Sequence, residues 1–315
     1  MKGSCKMLKI VTITLFTVVL TLFSCTSVGL NLLNLFELEQ EWLLFTNGPR
    51  LDDIARTSLT PVIIDYSADG SETRRFTRED LTSLKRLKDG KSREVLAYVN
   101  LGIAERWRWY WSSLPTKLIY GPLEGWEGEY YVKFWTDEWL SVIIKYIEKV
   151  IEAGFDGVMF DWVNIYFSSS LQRYSKFSAS QLRELMAQTL SKIVEMFPSL
   201  VYALVNGEDI LITYPHLREK VKYVVVEDLF FTVNNQLATD SKTFKDRLDK
   251  LLKLKSYGIS VLSIEYIDNQ NPFDVENAKR VKTYIELAKQ YGFKHYVART
   301  DRKLDEINIP RILAR

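Results

Sequence analysis

From residue 41 onward the chain alternates short β-rich runs with amphipathic helical patterns, eight times over. The predicted strands are Trp42–Phe45, Val62–Tyr66, Val95–Asn100, Gly157–Asp161, Val201–Asn206, Tyr223–Glu227, Ser260–Tyr266 and His295–Arg299. Several are continuously apolar, such as Val62-Ile63-Ile64 and Val224-Val225-Val226. Strands buried on both faces of a parallel sheet read this way. Between Asp137 and Ala153, Leu140, Ile143, Ile144, Ile147 and Ile151 recur at helical spacing. The runs 180–197, 241–257 and 274–291 read similarly. Gly154, Gly258 and Gly292 each end a helical pattern and precede an apolar residue that starts the next strand within about two positions. Eight such units predict an α/β fold, a (β/α)8 TIM barrel. The strand-to-helix links are long, notably 101–136 and 162–178, and the return links are short. Long βα loops therefore gather on the C-terminal face, where barrels of this kind build their sites. An open doubly wound sheet is the alternative, but neither G-x-G-x-x-G nor a P-loop supports a nucleotide-binding version of it.

Composition narrows the function. Aromatic residues make up 13% of the chain and apolar residues 47%, so it is not disordered. A net charge of +2 argues against a nucleic-acid binder. Two cysteines and two histidines offer neither a disulfide scaffold nor a Cys- or His-rich zinc site. No metal and no cofactor are expected, and the chain is expected to be a monomer.

The first residues differ from the rest. Lys2, Lys6 and Lys9 precede an uncharged stretch, Ile10 to Phe23, too short for a standard transmembrane helix. It ends in Leu22-Phe23-Ser24-Cys25, which resembles a bacterial lipobox. Residues 1–24 are read as a lipoprotein-type signal peptide, Cys25 as the lipidation site, 25–40 as a tether, and 41–315 as one barrel domain. An ordinary secretory peptide or an uncleaved anchor is the alternative. Each reading exports the protein, and the first places it on the extracytoplasmic side of a bacterial envelope, held to the membrane by lipid.

Nearly every predicted strand ends in a polar or ionisable residue. These are Asp65-Tyr66, Asn100, Asp161-Trp162, Asn206, Glu227-Asp228, Glu265-Tyr266 and Arg299. Charge beside a buried strand costs free energy unless it has a partner or a function. Some of these groups are expected to serve only as rim ion pairs. The loop after the third strand holds Trp107, Trp109, Tyr110, Trp111, Tyr120, Trp126, Tyr130, Tyr131 and Trp135. Sugar rings stack their C–H faces on such rings, so an aromatic loop over an acidic pocket reads as a carbohydrate cleft. The same rings could instead form a self-packed lid, and both can hold.

The segment Gly154-Phe155-Asp156-Gly157-Val158-Met159-Phe160-Asp161-Trp162-Val163 resembles the central motif of the glycoside hydrolase family 114-like barrels. These are the endo-α-1,4-polygalactosaminidase relatives, formerly labelled cysteinyl-tRNA-synthetase-related. Asp65-Tyr66, the run Ala97 to Glu105 followed by Arg108-Trp109-Tyr110-Trp111, and Val226-Glu227 fit the same pattern, over roughly residues 41 to 300. The resemblance implies a TIM-like barrel in which a carboxylate pair, Asp161 and Glu227 here, cleaves α-1,4-linked galactosamine or N-acetylgalactosamine polymers. Asn164 stands where relatives often carry an acid. No synthetase motif accompanies the old label.

Glycoside hydrolysis needs two carboxyl groups flanking the bond. Asp161 is assigned as nucleophile or base and Glu227 as acid/base. Ends of strands two positions apart lie about 8 to 10 Å from each other, so the side chains can converge. Asp65, Tyr66, Asn100, Arg108, Trp109, Trp162, Asn206, Glu265 and Tyr266 are the candidate substrate-binding residues. Two other readings stay open. The carboxylates could hold Mg²⁺ or Mn²⁺ in a metal-dependent barrel enzyme, or the barrel could bind glycan without catalysis. Among weaker signals, Arg74, Arg75, Arg78, Lys85, Arg86, Lys88, Lys91 and Arg93 read as a solvated basic face. His295 reads as a packed residue, His216 as a surface one, and Ser168-Ser169-Ser170 as a loop tip.

Overall fold

The computed structural model describes residues 35–313. The signal peptide, Cys25 and most of the tether therefore lie outside the described residues. One compact unit spans Glu37–Ile312.

Eight parallel strands form its centre: β1 (Leu43–Phe45), β2 (Val62–Ile64), β3 (Val95–Asn100), β4 (Gly157–Asp161), β5 (Val201–Val205), β6 (Tyr223–Glu227), β7 (Ser260–Asp268) and β8 (Lys294–Arg299). They are hydrogen-bonded in sequence order from β1 to β8. The helices around the sheet include α1 (Leu51–Ala55), α2 (Arg78–Leu84), α3 (Asp137–Ala153), α4 (Ala179–Met196), α5 (Glu208–Thr213), α6 (Lys242–Ser256) and α7 (Val275–Tyr291). The fold is the expected (β/α)8 barrel with one departure. No helix follows β8 among the described residues.

The strands form where β-branched and aromatic residues are continuous, and they are buried on both faces. The helices start at side-chain caps. Thr136 accepts the Trp139 N–H at α3, Ser178 and Gln181 form a capping box at α4, and Asp274 accepts two amides at α7. Gly154 ends α3 at φ 89°, a conformation that a side chain would strain.

The barrel closes between β1 and β8 partly through side chains. The Gln40 amide donates to Val297 O at 2.9 Å and accepts the Val297 N–H at 2.9 Å, standing in for a backbone unit of a strand. The Glu41 N–H donates to His295 O at 3.2 Å. The buried His295 ring reaches Glu39 O at 2.9 Å and the Glu41 carboxylate at 2.5 Å. The last residues assigned to the tether are thus built into the seam.

The basic stretch is not uniformly a solvated face. Arg93 is fully buried and donates to the carbonyls of Leu59, Leu84, Ile54 and Thr57. It gathers carbonyls from the end of α1, from the segment after it and from the end of α2, where the helical pattern supplies few donors. Lys85 donates to Gly154 O at 2.6 Å and pairs with Asp156 at 2.7 Å.

Candidate active site

A cleft of about 950 Å³ opens at the C-terminal ends of the strands. Alternation along each strand decides what enters it. Met159 and Asp161 of β4 and Val225 and Glu227 of β6 face in, and Tyr266 of β7 does likewise. Just beyond the strands the backbone turns left-handed at Trp162 (φ 56°), Asn206 (φ 48°) and Asp228 (φ 50°). Non-glycine residues pay for that conformation, and such strain gathers at functional sites. Here it turns three further side chains into the cleft lining.

Asp161 and Glu227 share the floor and sense each other. Asp161 accepts the Tyr98 hydroxyl at 3.0 Å and the Trp162 N–H at 2.6 Å. Burial, then the charge of Glu227, pushes its carboxyl up to about 7. Glu227 accepts the Tyr266 hydroxyl at 2.6 Å and the Asn206 amide at 3.2 Å. Burial raises its pKa also. Asn206 is itself oriented, because its Oδ1 accepts from Arg247 at 2.8 Å and from the Glu227 N–H at 3.1 Å. Burial and the neighbouring charge of Glu227 favour the protonated form of Asp161, and burial with the charge of Asp228 favours that of Glu227.

One wall is acidic. Arg108 donates to Asp65 at 2.6 Å and to Glu105 at 2.7 Å, all three being buried. Burial opposes the charge of Arg108, but Glu105, Tyr146 and Asp65 outweigh it and raise its pKa. Glu129 completes the wall with no such partner. It stands opposite Glu105 in an antiparallel pair, is 8% exposed, and its Oε2 accepts no hydrogen bond. Burial, then the charges of Glu105 and Asp161, pushes its carboxyl up to about 8. Across the cleft, Arg302 donates to Asp228 at 2.6 Å and lies 4.1 Å over the Tyr266 ring.

Of the substrate-binding candidates, Asp65, Arg108, Trp162, Asn206 and Tyr266 line the cleft. Four do not. Tyr66 turns away from Asp65, donates to Glu72 at 3.3 Å and packs on Tyr146. Glu265 faces away from the barrel interior, and its carboxylate accepts the Phe230 and Phe231 amides, a clamp on the β6–α6 loop. Asn100 stands behind the floor and donates to the Tyr98 hydroxyl at 3.4 Å. Trp109 packs on Tyr110 and Tyr146. The polar end of β8 does not serve the cleft either, since Arg299 pairs with Asp301, Asp305 and Glu306.

The aromatic loop divides as its two readings allowed. Trp107 and Trp126 line the cleft. Trp111 packs on Tyr130 at 4.7 Å, and Tyr120 packs against Trp135 and Tyr174. The loop is also more ordered than a link. Ile103–Glu105, Ile119–Pro122 and Glu129–Val132 form a three-stranded antiparallel sheet inserted after β3.

Sequence reasoning missed Glu129 and Arg302. The run of β-favouring residues Tyr130-Tyr131-Val132 was a signal for the inserted strand. Nothing near Arg302 marks it. Among the described residues, no three His, Cys, Asp or Glu side chains come together as a metal site, so the metal-dependent reading gains no ligand set from them.

A (β/α)8 barrel with a deep strand-end cleft, facing carboxyls and half-exposed tryptophans has the build of the carbohydrate-cleaving barrels. The family is specific: residues 58–311 match the glycoside-hydrolase family GH114, and the chain belongs to it. It is a glycoside hydrolase. It is 32% identical over 276 residues to an uncharacterized protein of Methanocaldococcus jannaschii, covering 85% of this chain and 78% of that one. An uncharacterized protein of Thermotoga maritima is 30% identical over 305 residues, covering 94% and 92%. In fold it is similar to the glycoside hydrolase domain of PelA from Pseudomonas aeruginosa (TM-score 0.64, 16% identity, 86% of this chain and 97% of that one). It is also similar to Ega3 from Aspergillus fumigatus, solved in complex with galactosamine (TM-score 0.59, 16% identity, 87% and 94%).

Proposed function

We propose that this protein is an exported glycosidase that hydrolyses α-1,4-linked galactosamine or N-acetylgalactosamine polysaccharide, with Asp161 and Glu227 as its carboxylate pair. The observation that carries the substrate class is the acidic wall. One buried arginine, Arg108, pairs with Asp65 and Glu105, and Glu129, which also lines the cleft, has a buried oxygen with no hydrogen-bond partner. A neutral sugar leaves that oxygen without a cation. An ammonium group on C2 of a hexosamine supplies one and favours the ionised carboxylate. The galactosamine bound in Ega3 points to the same sugar.

In this reading Glu227, its pKa raised by burial, holds a proton and gives it to the glycosidic oxygen as the C–O bond breaks. Asp161, fixed by Tyr98 and the Trp162 amide, attacks the anomeric carbon or deprotonates the incoming water. Tyr266 and Asn206 orient Glu227, and Trp162, Trp107 and Trp126 offer ring faces to the sugars.

The test is incubation with partly deacetylated galactosaminogalactan and with neutral α-glucans, followed by assay for new reducing ends. Ends from the galactosamine polymer alone support the reading. Cleavage of only the glucans overturns the substrate, and cleavage of neither by folded protein favours the glycan-binding reading. Export by lipidation at Cys25 rests on the lipobox-like sequence. Expression in a bacterium should give a membrane-bound protein that Cys25→Ala releases, and a cytoplasmic product would contradict it.

A further inference from the structure

The sheet inserted after β3 carries a second groove. It is an open, shallow depression of about 1030 Å³ that runs past Arg106, Trp107, Leu123, Trp126, Glu127 and Tyr130. Trp107 and Trp126 also line the active-site cleft, so the two depressions meet at a ridge of two indoles. These rings are 44% and 51% exposed. Two large apolar rings left half in water on one ridge forgo burial that would stabilise the fold, and such patches mark binding surfaces.

Neither ring is loosely held. A Cβ on Gly70 or on Gly128 would lie 2.9 Å from Trp107 ring atoms, so the indole is wedged between two glycine backbones. The Leu123 N–H donates to Glu129 O at 2.8 Å and closes the hairpin that carries Trp126, and the Arg106 N–H ties its far strand by donating to Gly128 O at 2.8 Å. Trp126 meets Trp162 edge-on, with ring centres 6.2 Å apart and planes at 90°. Rigid, half-exposed indoles flanked by Arg106 and Glu127 match the chemistry of a pyranose chain. Its apolar C–H faces stack on the rings, and its hydroxyls bond to the charged groups beside them.

We propose that this groove is a distal subsite, which binds the polysaccharide beyond the cleft with Trp107 and Trp126 as stacking platform and Arg106 and Glu127 as hydroxyl binders. The inference rests on the glycosidase reading above. It makes the protein an enzyme that prefers long chains, because a short oligosaccharide fills the cleft and leaves the groove empty.

The experiment measures binding of the non-cleaving Asp161→Asn protein to long, partly deacetylated galactosaminogalactan and to a galactosamine disaccharide. In that background, Arg106→Ala with Glu127→Ala should weaken binding to the long chain about tenfold and leave disaccharide binding unchanged. Trp126→Ala should weaken binding to the long chain more than to the disaccharide. Equal losses on both ligands for Trp126→Ala would make the ridge part of the cleft alone and overturn the proposal. Unchanged polymer binding by the Arg106/Glu127 variant would also overturn it. So would sedimentation showing a dimer that Trp126→Ala dissociates, which would assign the ridge to self-association. Cleavage by the wild type with kcat/KM independent of chain length removes the subsite and leaves the glycosidase. Absence of both binding and cleavage removes the two together.

Discussion

At the residue scale, the pair on the floor and the unpartnered acid on the wall have separable consequences. Asp161→Asn and Glu227→Gln keep the hydrogen bonds to Tyr98 and Tyr266 sterically possible but remove a titrating group. Each should lower kcat on the order of 10³-fold while the protein still binds polymer, a loss read from reducing-end assays. Retention of wild-type turnover by either variant would exclude that carboxyl from the chemistry. Glu129→Gln removes the unpartnered carboxyl that a bound ammonium would favour in its ionised form. Its kcat/KM on deacetylated polymer should fall about tenfold relative to the N-acetylated form. An equal loss on both would mean that Glu129 does not meet the amine. The strand-end pattern marked Asp161 and Glu227 together with Asp65 and Glu265, and the family resemblance singled out the first two, which the structure brings to the cleft. Glu129 was marked by neither. Its strand lies inside a long loop, and its meaning comes from Glu105, which only antiparallel pairing sets beside it.

At the element scale, strand alternation and the first turn after each strand do the sorting. Asp65 and Tyr66, or Glu265 and Tyr266, look equivalent as neighbours in a list of strand-end polar residues. A period of two allows only one of each pair into the cleft, and the other serves the layer outside. Tyr66 finds Glu72, and Glu265 finds the amides of the β6–α6 loop. Left-handed turns at Trp162, Asn206 and Asp228 then break the alternation and add the following residue, which no propensity rule announces. Arg93 shows the same limit. Its neighbours are exposed, and its place among basic residues reads as solvated, yet the fold buries it to satisfy carbonyls near the ends of α1 and α2. Arg93→Met should destabilise the protein by at least about 3 kcal/mol in urea unfolding, because several buried carbonyls lose their donor at once. A change under about 0.5 kcal/mol, the range of an ordinary surface substitution, would restore the solvated-face reading.

For the whole molecule, the gathering of acids at one end of the barrel sets a pH dependence. Asp161 is raised to about 7 from 3.8, and Glu129 and Glu265 to about 8 from 4.5, each chiefly by burial. A carboxyl whose folded pKa is raised keeps its proton in the native state after the unfolded chain has lost it. Stability therefore falls as pH rises from about 4 to about 8. Carboxyls lowered by their partners, such as Asp209 beside Arg183 and Lys250, act with the opposite sign only below their ordinary range. The melting temperature should thus decrease between pH 5 and pH 8.5, and Glu129→Gln should flatten the decline. A melting temperature that rises across this interval would contradict the burial of these groups. The sequence by itself determined the barrel class, the order of its strands, and which strand ends carry acids. Those follow from hydrophobic period and local turn chemistry, which act over a few neighbouring residues. The tertiary structure alone decided which of those acids share a cleft, which stay unpaired, and which tryptophans remain in water. Such outcomes depend on groups far apart in the chain, brought together only when the sheet curls and the seam between β1 and β8 closes.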